Sequence, residues 1–94
     1  MNVTHHADAR RFVVELPDGL AYLAYEPLDG RTLDLLHTVV PDAEQGRGVG
    51  SALVEAAFDH ARDNGLKLVP SCPFVSEWLG DHPEQLDLVV SGGE

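Results

Sequence analysis

Between Arg11 and Val40 the chain carries three runs of apolar residues separated by turn residues. Arg11 to Leu16 (RFVVEL) sets Phe12, Val14 and Leu16 on one face, the period of two of a half-buried strand. Pro17-Asp18-Gly19 is a turn, with glycine where positive φ is wanted. Leu20 to Glu26 (LAYLAYE) predicts a second strand, with Leu20, Tyr22 and Ala24 opposing Ala21, Leu23 and Tyr25. Asp29-Gly30 marks a hairpin. Thr32 to Val40 (TLDLLHTVV) predicts a third strand, the most continuously apolar, which fits a central strand covered on both faces. The expectation is a three-stranded antiparallel meander.

From Val49 the period changes. Val49, Ala52, Leu53, Ala56, Ala57 and Ala61 recur at i, i+3, i+4, i+7, i+8 and i+12, the stripe of a central helix. Gly65 suits the position just past its end. Leu66 to Val69 is a short fourth strand, reached by a helical crossover and so expected parallel to the third. Pro73 fits the first position of a short C-terminal helix, which makes Cys72 its cap. Phe74, Val75, Trp78 and Leu79 form that helix's apolar face and are expected to be core, and Asp81 to Val90 holds a further helical turn. The polar residues 1–10 predict a flexible N-terminus and residues 91–94 a disordered tail. Residues 11–90 then form one α/β (α+β) domain.

The 94-residue length leaves no room for a second core. A formal net charge of −10 argues against nonspecific nucleic-acid binding, and it either favours a cationic acceptor or serves only to maintain solubility. No apolar run reaches the roughly 20 residues of a membrane span, so no membrane association is expected. One cysteine excludes an internal disulfide, the five histidines are scattered without metal-ligand spacing, and a reducing cytoplasm is the expected compartment.

The candidate chemistry centres on Gln45-Gly46-Arg47-Gly48-Val49-Gly50, where the third strand gives way to the helix. A glycine-dense turn into a helix start exposes several backbone N–H groups, and the helix dipole adds partial positive charge there, so the turn suits a phosphate. The spacing is neither that of the dinucleotide fingerprint, since position 51 is Ser, nor that of the nucleotide-triphosphate loop, which needs Gly-Lys-Ser/Thr. Gly50 lies in the first helical turn, where glycine costs about 0.5–1 kcal/mol relative to alanine. Close approach of a ligand accounts for tolerating it.

Gln45, Gly48 and Gly50 match Gln/Arg-x-x-Gly-x-Gly/Ala, the acetyl-CoA pyrophosphate motif of the GCN5-related N-acetyltransferases. His37-Thr38-x-Val40-Pro41, Gly65-Leu66-Lys67, Pro70-x-Cys72 and His82-Pro83 accompany it in order, and residues 10 to 90 resemble the short, single-domain branch of that superfamily. The resemblance implies that the third and fourth strands splay apart and admit the pantetheine arm of acetyl-CoA. On this sequence it implies pantetheine contacts at Val39 and Val40, and pyrophosphate at the amides of Gly46, Arg47, Gly48, Val49, Gly50 and Ser51, with Arg47 adding charge. The implied activity is acetyl transfer to an amine acceptor: a small amine, a polyamine or a lysine side chain. The chain departs from full-length members twice. Pro17–Gly19 leaves no space for the two helices that shape the acceptor groove, so an open, shallow acceptor site is expected. No tyrosine follows Tyr25, so the usual acid for the leaving thiolate is missing.

Two residues are candidates for catalysis. Cys72, at a helix N-terminus, is expected to have its thiolate favoured by amides and dipole, and to act as nucleophile, acid or pocket lining. His37 is a candidate general base, because its ordinary pKa is near neutrality, provided that strand register turns it toward the cleft. Glu26 and Asp34 read as solvated strand carboxylates. The rival readings are a CoA- or acyl-CoA-binding module with little transfer activity, and a plain interaction domain whose glycine turn is only a tight connection.

Overall fold

In a computed structural model, described here for residues 1–90, the expected meander forms, with one strand added at its free edge. The strands are β1 (Thr4–His6), β2 (Arg11–Leu16), β3 (Gly19–Pro27), β4 (Thr32–Val39) and β5 (Lys67–Val69), in the spatial order β1-β2-β3-β4-β5. The first four run antiparallel, and β5 is parallel to β4. Helix α1 (Val49–Asn64) crosses from β4 to β5, and α2 (Pro73–Gly80) follows. Gly65 takes the left-handed conformation at φ 68° and its N–H closes the last turn of α1 on Ala61 O, as its place in the sequence requires. Pro83–Leu88 is a 3-10 turn, after which Val90 N–H bonds Leu68 O at 2.9 Å. The expected tail at 91–94 lies outside the described residues.

The flexible N-terminus is corrected. Thr4 to His6 pair with Val13 to Arg11, although Thr-His-His carries no apolar alternation. What holds β1 is aromatic. The His5 ring stacks on Phe12 with centroids 4.3 Å apart, meets His60 of α1 edge-on at 4.4 Å, and its Nε2 lies 2.6 Å from the Tyr25 hydroxyl. Burial, then the nearby His60 and His6, hold His5 below the ordinary histidine pKa, and burial raises that of Tyr25.

Two further expectations change. The buried face of α1 is wider than its alanine stripe, because Val54 and Phe58 are fully buried while Ala52 and Ala56 are only half-buried. Among the described residues, β4 is covered on one face only. Both helices lie together, with Phe58 of α1 and Trp78 of α2 in ring contact at 5.1 Å, over Leu23, Leu33, Leu35 and Leu68 in one core. His37 and Val39, on the other face, are exposed.

A register shift in β4 decides which of its residues meet the helices. Ala24 lies opposite His37 but Tyr25 lies opposite Leu35, which leaves Leu36 as an extra residue. Such a bulge exchanges the two faces of a strand for every residue beyond it. Leu33 and Leu35 face the helices before it. After it Thr38, opposite buried Leu23, takes that side, while His37 and Val39 turn outward.

Candidate functional site

β4 and β5 are paired only at Thr32–Lys67, Leu33–Leu68 and Asp34–Val69. Backbone hydrogen bonds flank that pairing on either side, from Lys67 N–H to Arg31 O at 2.7 Å and from Cys72 N–H to Leu35 O at 2.8 Å. β4 continues to Val39 with no strand beside it on that edge among the described residues, so a gap opens between its end and α2. A cleft of about 500 Å³ occupies this region, within the usual range for small-molecule sites. Thr38 comes from the end of β4 and Val40 from just beyond it, Glu44 to Gly46 and Gly48 from the connecting turn, Val49 to Ser51 from the first turn of α1, and Phe74 from α2.

The turn's conformation follows from its glycines. Gly46 and Gly48 have φ of 81° and 82°, a region that side-chain-bearing residues rarely adopt. A Cβ on either would meet no atom within 4 Å, so the dihedral angle and not crowding calls for glycine. The Gln45 amide braces the turn by donating from Nε2 to Val40 O at 3.3 Å and to Asp42 Oδ1 at 3.2 Å. α1 begins without a side-chain cap and with no acidic residue in its first turn. Its leading N–H groups thus keep their hydrogen-bonding capacity at a cleft, where the helix dipole favours an anion.

Gly50 has a different reason for lacking a side chain. Its Cβ would lie 2.8 Å from Phe74 Cζ and 3.0 Å from Cε2. A neighbouring ring, rather than a ligand, fills that space. Phe74 is itself corrected: it is 40 % exposed and lines the cleft, whereas Val75, Trp78 and Leu79 of the same helix are buried.

The predicted residues divide by position. Val40, Gln45, Gly46, Gly48, Val49, Gly50 and Ser51 border the cleft together. Arg47 is exposed and outside the lining, and the side chain of Val39 lies on the opposite face of β4. His37 shares that outer face and does not line the cleft. Cys72 occupies the cap position of α2 but makes no capping hydrogen bond through its side chain. Its thiol is buried, with 3 % of the residue exposed, and lies 3.5 Å from Thr38 Oγ1. The expectation that the sulfur draws on the amides of α2 is therefore corrected: Thr38 is its polar neighbour. Asp34 is not simply solvated either, since its Oδ1 is buried without a hydrogen-bond partner among the described residues.

Three lining residues were missed from sequence. Thr38 stands two residues before Val40 and shares its face, a signal present in the strand alternation. Phe74 was hidden among apolar neighbours, and the glycine opposite it was the available clue. Glu44, at 9 % exposure, is the one charged side chain among the described residues of the lining, so the donors the cleft can offer an anion are main-chain amides and the neutral side chains of Thr38, Gln45 and Ser51.

The comparisons with known proteins agree with this geometry. A family profile described as GCN5-related N-acetyl-transferase matches residues 11–88. Protein NATD1 of Xenopus tropicalis is 35 % identical over 85 residues, covering 88 % of this chain and 78 % of that protein. Protein NATD1 of Homo sapiens is also 35 % identical, with 88 % and 75 % covered. The solution structure of a GCN5-like protein from Staphylococcus aureus superposes with a TM-score of 0.75 at 28 % identity, over 96 % of this chain and 88 % of that one. With a splayed strand pair, a glycine turn at an uncapped helix start, and a family match running nearly from end to end, the chain belongs to the GCN5-related N-acetyltransferase family.

Proposed function

We propose that the protein is an acetyl-CoA-dependent N-acetyltransferase acting on an amine: a small amine, a polyamine or a lysine side chain. One observation carries the reading: the uncapped start of α1 and the gap beside β4 open into the same cleft. An elongated ligand with a phosphate group partway along it fits that combination. The amides of Gly46 to Ser51 hold the pyrophosphate, and Thr38 and Val40 border the arm that follows it. Bound acetyl-CoA supplies an acyl group activated as a thioester. A main-chain N–H near Val39 or Val40 serves as donor to the negative charge that develops on the carbonyl oxygen. His37, exposed on the uncovered face, takes the proton of an amine arriving from that side, as the amine nitrogen bonds the acyl carbon and the C–S bond breaks to release the coenzyme A thiolate, which takes its proton from water. The net charge of −10 favours a cationic acceptor and disfavours nucleic acid. Burial of Cys72 behind Thr38 favours direct attack by the amine over an acetyl-Cys72 route.

A CoA- or acyl-CoA-binding module with little transfer activity is the second reading. It is favoured by the separation of the two catalytic candidates, His37 on the outer face of β4 and Cys72 buried on the helix side. Release of free CoA thiol, measured across a panel of amines against a control without acceptor, decides between them. Acceptor-dependent release supports the enzyme. Tight CoA binding with no release above the control supports the module.

A further inference from the structure

Phe74 stands half out of the core on a helix whose other large apolar residues are buried, and it is held there by a missing atom on the neighbouring helix. The end of its ring occupies the space where a Cβ of Gly50 would sit, with Cζ at 2.8 Å and Cε1 at 3.4 Å from that position. A glycine inside a helix is a cost that any other residue except proline would reduce. Here it gives the ring a fixed seat against the first turn of α1, with the remaining surface toward the cleft. Val40 borders the same cleft from just beyond the end of β4, so the two apolar residues come from the two chain segments that part after Asp34 and Val69.

The cleft therefore has two chemical ends. The glycine turn and the start of α1 present main-chain donors, while Val40 and Phe74 present hydrocarbon. A nucleoside diphosphate satisfies the first end alone. A pyrophosphate carrying an aliphatic arm with a quaternary, dimethylated carbon satisfies both. We infer that Phe74, seated on Gly50 and paired with Val40, is a specificity-determining residue that grips this arm and so selects pantetheine-bearing ligands over nucleoside diphosphates. The inference rests on the coenzyme A reading proposed above.

Calorimetric titration of the full chain with coenzyme A and, separately, with ADP tests it. Phe74→Ala should weaken coenzyme A binding about tenfold and leave ADP affinity within about twofold, since only the arm loses a contact. Phe74→Leu, which keeps an apolar side chain, should restore most of the loss. Gly50→Ala, which displaces the ring without removing it, should weaken coenzyme A more than ADP. Equal losses for the two ligands in Phe74→Ala would show that the ring merely supports the turn, and would overturn the inference. So would unchanged coenzyme A affinity in that variant. Failure of the unaltered protein to bind coenzyme A would overturn the cofactor reading and the inference together, whereas tight binding that ignores Phe74 overturns the inference alone.

Discussion

Replacing Gly48 with valine separates the main chain's part in anion binding from that of the side chains. Gly48 precedes α1 at φ 82°, and its carbonyl accepts the Ala52 N–H at 3.0 Å, so its dihedral angles set the direction in which the helix starts. A Cβ there meets no atom within 4 Å, so the penalty is conformational and not steric crowding. Holding a side-chain-bearing residue in that region costs about 1–3 kcal/mol. If the strain is retained, the thermal midpoint falls by roughly 4–8 °C for each kcal/mol in a domain of this size. If the turn relaxes instead, the amides from Gly46 to Ser51 no longer converge, and loss of one hydrogen bond to a charged group is worth about 1.5–3 kcal/mol. Coenzyme A affinity should then drop tenfold or more, since tenfold corresponds to about 1.4 kcal/mol. Gly48→Asn is the informative companion, because asparagine visits the left-handed region more readily, and it should retain most of the affinity. Calorimetry with coenzyme A, alongside circular dichroism to establish folding, reads both effects. Unchanged affinity in a folded Gly48→Val protein would take the phosphate site away from this turn. Equal losses in the valine and asparagine variants would mean that any side chain obstructs the cleft, and the conformational argument would fail.

Glu44→Gln removes the one charge among the described residues of the cleft lining and should tighten coenzyme A binding several-fold at low salt, with the gain shrinking as salt rises. A gain independent of ionic strength would assign the effect to packing. Cys72→Ser should keep most of the amine-dependent turnover, and mass spectrometry of the unaltered protein with acetyl-CoA alone should find no acetylated Cys72. Loss of turnover in Cys72→Ser, with a stable acetyl adduct on the native thiol, would instead establish the covalent route. His5 has its pKa lowered from the ordinary 6.5 by burial, so the folded state binds its proton less readily than the unfolded chain does. Its stabilising contribution is whole above that value and is lost as pH falls through it toward the lowered one. Urea unfolding at about pH 7.5 and about pH 5.5 should therefore show a smaller drop in His5→Gln than in the native protein. Identical drops would clear His5 of any part in the pH dependence.

Much of the fold is legible along the chain because local periodicity reports which face of an element is buried. The strands from Arg11 onward, the helix ending at Gly65 and the proline-led second helix all follow from patterns a few residues long. The glycine turn is legible for the same reason, since φ near 80° at Gly46 and Gly48 is a demand that local sequence can state. β1 was not legible, because Thr-His-His becomes a strand only when His5 finds Phe12, Tyr25 and His60 from three other elements.

The assignment of candidate residues to the two sides of β4 was also left to the tertiary structure. In an uninterrupted strand His37 would share the buried face of Leu33 and Leu35. The extra residue at Leu36 reverses that, sending His37 and Val39 outward and bringing Thr38 to the cleft. A bulge arises from pairing with β3 and leaves little trace in the alternation of apolar residues when the strand reads Leu35-Leu36 at that point. Gly50 is the corresponding case in the helix. Its lack of a side chain is visible in the sequence, but the reason is a phenylalanine ring 24 positions later, placed by the packing of α2 on α1. Apart from β1, the sequence by itself determined the elements and the glycine turn, which depend on neighbours along the chain. The tertiary structure decided which side chains face the cleft, because that depends on strand register and on contacts between elements far apart in sequence.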